Sequence, residues 1–227
     1  MQFGLCTEFE WLAGHSEQEA FCTSLAQIDE AERLGFDSVW LGESHFQKGR
    51  SVLPSPLLVG SAVAQRTRRV TVGLAVNVLP LGHPLRLAED VATLDHLTHG
   101  RLEYGIGRSG LPSHYGGFNI PMSEGRQLFN EHMLRADLYR LCKGTIPPEY
   151  EARLQRYDTI TYDEIYAQQA IYGTPEEVIA KIRWLQTETG CNNLLCWMNA
   201  GSRLTQEQVL RSMCLFATEV MPAFPHN

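Results

Sequence analysis

The sequence feature that most constrains the fold is a strand followed by a helix, repeated along the first half of the chain. Short apolar segments of strand character begin near residues 2, 38, 70 and 102, and a helical pattern follows each of them. This spacing of about thirty residues is typical of βαβ units, in which successive strands run parallel. Four such units in a row predict a parallel sheet covered by helices, either open or closed into a barrel.

Three helix starts carry a capping box, in which two side chains satisfy free backbone amides of the first turn. The pairs are Ser16 with Glu19, Thr174 with Glu177, and Thr205 with Gln208. The last of these helices is expected to run through Val220 and to end at Pro222, which cannot continue a helix.

The repeat breaks down in the centre of the chain. Residues 143–168 are polar and rich in tyrosine, with no convincing strand, and the segment 170–172 is a doubtful one. Residues 193–198 form a further predicted strand, so we count five, whereas a closed barrel of this kind has eight. We expect one domain over residues 1–227, an α/β fold of TIM-type (β/α) barrel architecture that is shortened or incomplete.

The composition narrows the class of protein. A net charge of −7 without a basic stripe argues against a nucleic-acid partner, and no apolar run reaches the length of a membrane helix. The amino terminus lacks the pattern of a signal peptide, and the six cysteines include no C-x-x-C pair, so we expect a cytoplasmic protein. The residues indicate no metal site.

Candidate functional residues follow the ends of two predicted strands. Glu43 and His45 come after residues 38–41, and Arg108 comes after residues 101–106. The carboxyl ends of strands meet at one face of a barrel, where the active site lies. This placement predicts an anion site beside a reaction centre.

These segments resemble the bacterial luciferase-like, flavin-dependent monooxygenases, over roughly residues 1–142 and 168–224. The resemblance is carried by residues 35–46 (GFDSVWLGESHF), 79–91 (LPLGHPLRLAEDV), 100–108 (GRLEYGIGR), 173–177 (GTPEE) and 215–222 (LFATEVMP).

The resemblance implies a (β/α) barrel that binds reduced FMN or, in some branches, the deazaflavin F420. It implies monooxygenation of a small organic substrate with O2, a separate flavin reductase, and a homodimer packed through the helix that carries Arg86 and Asp90. The family's fifth and sixth strands have no counterpart in this sequence, which makes the chain a shortened member.

The resemblance also implies roles for individual residues. Arg108 and Arg126 would bind the flavin phosphate, with Ser109 lending an amide, although both arginines could instead be surface residues. Ala75 and Val76 match a pair that often forms a non-prolyl cis peptide beside the flavin ring, and the Asn77 amide would reach that ring.

His45 and Glu43 are the candidate catalytic residues. A histidine can carry a proton near neutral pH. Luciferases often have two successive histidines at this place, whereas this chain has Ser44 and then His45, so His45 could instead be a structural residue bonded to Glu43. Two other functions therefore remain open, namely a flavin-binding protein without catalysis and a structural subunit of a luciferase-like dimer.

Overall fold

The computed structural model describes residues 1–135, 171–200 and 203–225. Strands and helices alternate from the first residues, as the spacing predicts. The strands are β1 (Gln2–Thr7), β2 (Ser38–Leu41), β3 (Thr71–Val78), β4 (Leu102–Gly107) and β5 (Asn193–Cys196). The helices are α1 (Glu17–Arg33), α2 (Pro56–Arg66), α3 (Pro84–Thr98), α4 (Pro112–Gly117), α5 (Gly125–Arg135), α6 (Pro175–Thr189) and α7 (Gln206–Leu215).

The strands form one parallel sheet in the order β4-β3-β2-β1-β5. This confirms the predicted α/β class and the parallel pairing. Within the described ranges the sheet is open, with β4 and β5 at its edges. The stretch 143–168, predicted to replace missing units, lies outside the described residues. Of the doubtful strand at 170–172, residues 171 and 172 belong to no strand, and residue 170 is not described.

The core lies between the sheet and its helices. Phe3 and Leu5 of β1, Leu41 of β2 and Leu74 of β3 are at most 1% exposed. The ring of Phe3 meets that of Phe216 edge-on at 5.3 Å. Burial of each such side chain stabilises the fold by about 1.5–3 kcal/mol, which holds the strands and their carboxyl ends in place.

All three predicted capping boxes are present, at Ser16, Thr174 and Thr205. The predicted end of the last helix was wrong in detail. The α-helical part, α7, ends at Leu215. A π-helical segment, Phe216–Val220, follows it, and then a 3-10 turn that contains Pro222. The widened segment holds Phe216 against Phe3 and also against Phe36, at 6.1 Å, so packing overrides regular helix geometry.

The two ends of the described chain meet, because the Met1 ammonium group donates a 3.0 Å hydrogen bond to the carbonyl of Pro225. None of the helices in the described ranges combines the length and apolar character needed to cross a membrane.

Candidate active site

The carboxyl ends of the parallel strands lie at one edge of the sheet, and each is followed by polar side chains. Since all five strands run the same way, residues far apart in sequence are brought to this edge. They are Glu8 and Glu10 after β1, Glu43 and His45 after β2, Asn77 near the end of β3, Arg108 and Ser109 after β4, and Trp197 after β5.

A chain of hydrogen bonds joins three of these strand ends. The Tyr104 hydroxyl donates to Asn77 Oδ1 at 2.7 Å, and Asn77 Nδ2 donates to Glu43 Oε2. The backbone N–H of Val78 also donates to Glu43 Oε2, at 2.8 Å. The other carboxylate oxygen, Oε1, lies 2.7 Å from His45 Nε2. The side chains of Glu43 and His45 are 6% and 9% exposed, so this network is shielded from water.

The network fixes the tautomer of His45. A carboxylate accepts hydrogen bonds, so His45 donates from Nε2 to Glu43. In the neutral ring Nδ1 then carries the lone pair and is the atom that can take up a proton. The contact with Glu43 is the one expected for a structural histidine, and it is also the arrangement that orients a proton-transfer histidine.

Aromatic rings and a cavity surround the His45 ring. The rings of Phe118 and His114 lie 4.9 and 5.4 Å from it, both edge-on. A cavity of about 330 Å³ has Glu43, His45 and Asn77 on its polar side. Leu57, Leu81 and Leu87 are among its apolar lining. A volume of this size and a mixed lining suit a small organic molecule.

The predicted cis peptide is present between Ala75 and Val76. It coincides with an irregularity in the pairing of β3 with β4, where Leu74 pairs with Tyr104 but Asn77 pairs with Ile106. An advance of three residues along β3 therefore corresponds to an advance of two residues along β4. This offset places Asn77 where the Tyr104 hydroxyl can bond it.

Arg108 and Ser109 directly follow β4, and Ser109 adopts a left-handed backbone conformation with φ of +60°. The Tyr115 hydroxyl donates to the backbone carbonyl of Arg108, and burial raises the pKa of that hydroxyl. The Tyr115 ring also packs over Gly125, where any Cβ would collide with it. Tyr115 thus bonds the Arg108 loop and also packs on Gly125, the first residue of α5, which Arg126 follows.

These residues have the chemistry that a phosphate group requires. Arg108 is half-buried and forms no ion pair with any residue of the described ranges, and Arg126 is exposed. Guanidinium and hydroxyl groups are donors that form charge-assisted hydrogen bonds with phosphate monoesters. The donor set fits the phosphate end of a flavin mononucleotide.

A second polar group lies after β1, and the sequence argument missed it. Glu10 accepts from the Thr7 hydroxyl at 3.1 Å and from Trp197 Nε1 at 2.6 Å. Glu8 lies 3.0 Å from Arg50 Nη2. Burial raises the pKa of Glu8, and Arg50 opposes that shift. Two acidic residues immediately after a predicted strand were the signal available in the sequence.

The structure therefore brings His45 and Asn77 each into direct contact with Glu43, with Ala75 and Val76 just before Asn77 on the same strand. Arg108 and Ser109 follow the neighbouring strand, and Arg126 is exposed in the first turn of α5. The Asn77 amide bonds Glu43 and Tyr104 within the chain. The binding and catalytic roles of all these residues stay predictions. Tyr104, His114 and Tyr115 were not predicted as site residues from the sequence.

Comparison with known proteins identifies the class of this protein. The family model for luciferase-like monooxygenase matches residues 1–156. The chain belongs to the luciferase-like monooxygenase family, whose members are generally flavin-dependent. This confirms the family resemblance seen in the sequence.

Individual relatives agree with the family assignment. Limonene 1,2-monooxygenase of Rhodococcus erythropolis is 32% identical over 155 residues, which are 68% of this chain and 38% of that protein. The chain matches only about a third of the length of such curated relatives.

Two solved structures share the fold. The monooxygenase RslO1 of Streptomyces bottropensis superposes with a TM-score of 0.80 at 22% identity, covering 99% of this chain and 100% of that one. The oxygenating constituent of 3,6-diketocamphane monooxygenase of Pseudomonas putida, solved with FMN, has a TM-score of 0.56 at 24% identity, covering 60% and 38%. The first likeness extends over nearly all of both chains, which shows that the two share a fold.

Proposed function

We propose that the chain is a monooxygenase that uses reduced FMN and O2 to oxidise a small organic substrate. The observation that carries this proposal is the hydrogen-bonded series Tyr104–Asn77–Glu43–His45, which borders a cavity. Its first member, Tyr104, belongs to β4, the strand that Arg108 and Ser109 directly follow. Family membership and the FMN held by the Pseudomonas putida protein support the choice of cofactor.

Each group of residues then has a separate task. Arg108, Arg126 and the Ser109 hydroxyl bind the phosphate, and the segment Ala75–Val76 borders the ring system. Reduced FMN, when bound, supplies the electrons that activate O2. Glu43 holds His45 through Nε2, and His45 accepts or returns a proton at Nδ1 during substrate oxidation. The apolar wall of the cavity favours a substrate with little charge.

The supply of reduced flavin and the assembly state are further parts of the proposal. We propose a separate flavin reductase and a homodimer. Helices α2 and α3 pack against each other and leave Leu58 and Leu85 exposed at 73% and 63%, which supports a second copy on this face. Arg86 pairs with Glu89 at 3.2 Å, three residues along, and is 71% exposed. A cytoplasmic location stays a prediction.

A titration with FMN tests the cofactor assignment. We expect Arg108→Ala and Arg126→Ala each to weaken FMN binding about tenfold or more, because each removes a charge-assisted hydrogen bond to phosphate. Riboflavin lacks the phosphate, so its affinity should change little. Arg86→Ala is the matched control, since Arg86 is an exposed arginine on α3. Equal FMN affinity in all four proteins contradicts the proposal, and the same titration with F420 separates the two cofactors.

A second function, flavin binding without turnover, is favoured by one observation. Every hydrogen-bonding atom of the Glu43 carboxylate is engaged within the chain, and Ser44 stands where the family resemblance places another histidine. Oxygen uptake with FMN, NAD(P)H and a flavin reductase distinguishes the two functions. A substrate-dependent rate that falls in His45→Gln while FMN affinity persists supports the monooxygenase, and FMN binding with no rate for any substrate supports the alternative.

A further inference from the structure

His114, a histidine of the short helix α4, is buried and only 2% exposed. Its ring lies between two loops of the candidate site. The backbone N–H of His45 donates to His114 Nε2 at 3.2 Å. On the other side, His114 Nδ1 lies 3.1 Å from Ser109 Oγ. One imidazole therefore connects the loop of the proposed proton-transfer residue with the loop of the proposed phosphate site.

These contacts fix the tautomer of His114. A backbone N–H only donates, so Nε2 must present its lone pair to His45. In the neutral ring the hydrogen is then on Nδ1, and Nδ1–H donates to Ser109 Oγ. The backbone N–H of Leu111 donates to the same oxygen at 3.1 Å.

The hydrogen bonds that Ser109 Oγ accepts determine what its hydroxyl hydrogen can do. A serine oxygen has two lone pairs and one hydrogen. Both lone pairs accept, one from His114 and one from Leu111, so the hydroxyl hydrogen is left to donate. Within the described ranges no acceptor bonds this hydrogen. Ser109 is half-buried and adjoins Arg108, so a bound anion can reach it.

We propose that His114 is a positioning residue for the flavin phosphate: it fixes the Ser109 hydroxyl as a hydrogen-bond donor beside Arg108 and anchors the backbone of His45. This inference rests on the proposed function, since it assigns a ligand phosphate to the Arg108 loop. Phosphate affinity then depends on His114 although His114 does not touch the phosphate.

Protonation of His114 breaks this arrangement. With hydrogens on both nitrogens, Nε2–H would face the N–H of His45, and one of the two loops would lose its hydrogen bond. Burial is the main cause that lowers the pKa of His114 below its usual 6.5, and His45 and Arg50 lower it further, while Glu43 opposes them. Arg108 is a further charged side chain on this loop, directly before Ser109. The preference for FMN over riboflavin, which lacks the phosphate, should therefore persist at neutral pH and decline on acidification.

The test is the ratio of FMN affinity to riboflavin affinity, measured by fluorescence titration. The variants are Ser109→Ala, His114→Phe, the double variant, and His114→Gln, which keeps a neutral donor and acceptor. We expect His114→Phe to lower the ratio about tenfold and the double variant to lower it no further than Ser109→Ala alone, because both act through one hydroxyl. The wild-type ratio should fall from pH 7.5 to pH 5.5 by more than that of His114→Gln. The phosphate itself titrates near pH 6 in both proteins.

Two results overturn the inference. If His114→Phe and His114→Gln both keep the wild-type ratio while Ser109→Ala lowers it, His114 does not position the hydroxyl. If the losses of Ser109→Ala and His114→Phe add in the double variant, the two residues act independently. A wild-type protein with no preference for FMN over riboflavin overturns the phosphate site of the proposed function as well, so the two failures are distinguishable. A purely structural role would change both affinities alike and leave the ratio constant.

Discussion

Glu43 Oε2 accepts a 2.8 Å hydrogen bond from the backbone N–H of Val78, which ties the loop after β2 to the last residue of β3. The same oxygen accepts from the Asn77 side chain. One carboxylate thus holds two strand ends together while it orients His45.

Glu43→Ala should destabilise the protein by about 1–3 kcal/mol, because it leaves buried N–H groups of Asn77 and Val78 without an acceptor. Urea unfolding measures the loss. Glu89→Ala is the control, since Glu89 is 60% exposed and a change there should stay within about 0.5 kcal/mol. Equal losses in the two variants would show that the Glu43 network contributes no stability.

The pH dependence of the free energy of unfolding should reflect the protonation of His114. Burial lowers its pKa in the folded state below the usual 6.5, so the unfolded chain binds more protons than the folded chain as the pH falls through that value. Stability should therefore decrease on acidification from about pH 6.5. Urea midpoints between pH 5 and pH 7.5 measure this, with His114→Gln as reference. The urea midpoint of the wild type should fall more on acidification than that of the variant. Equal pH dependence of the two midpoints would contradict the prediction.

The reactivity of each cysteine should depend on whether it is buried or exposed. Burial raises the pKa of Cys6 to about 11, with help from the charges of Glu10 and Glu8, and raises that of Cys196 to about 12. Thiolates react and thiols do not, so both should resist iodoacetamide at pH 8. The exposed Cys22 and Cys214 should react. Peptide mass spectrometry reads each site separately, and fast labelling of Cys6 in the folded protein would refute the assignment.

The exposed leucines of α2 and α3 should control the assembly state. Leu58→Glu and Leu85→Glu place a charge in the proposed dimer face, so each should shift the protein from dimer to monomer in light scattering. Leu215→Glu, at a leucine of α7 that is 47% exposed, is the matched control and should leave the dimer intact. A wild-type monomer at every concentration, or dimers in all variants, would rule out this face.

Much of the framework could be predicted from the sequence because it depends on local patterns. Capping boxes at Ser16, Thr174 and Thr205 involve residues three apart, and the parallel strands follow from their regular spacing. The contact of His45 with Glu43 is also local, two residues apart, and was weighed as the structural alternative.

The rest of the site depends on contacts that no local pattern reveals. Tyr104 reaches Asn77 because β3 and β4 pair with an offset of one residue. His114 bonds the backbone of His45, 69 residues away, through a helix too short to show a clear period. Trp197 bonds Glu10 only because β5 pairs beside β1. Strand register and sheet order decide these contacts, and they are properties of the assembled sheet.

The position of β1 within the sheet also has a consequence during translation. One side of β1 pairs with β2, which leaves the ribosome soon afterwards, but the other side pairs with β5, where Gln2 meets Asn193. Until that late segment emerges, β1 presents an unpaired backbone edge to other nascent chains, and such edges promote intermolecular pairing. Messages cut short before the codons for β5 should therefore yield inclusion bodies rather than a smaller folded product.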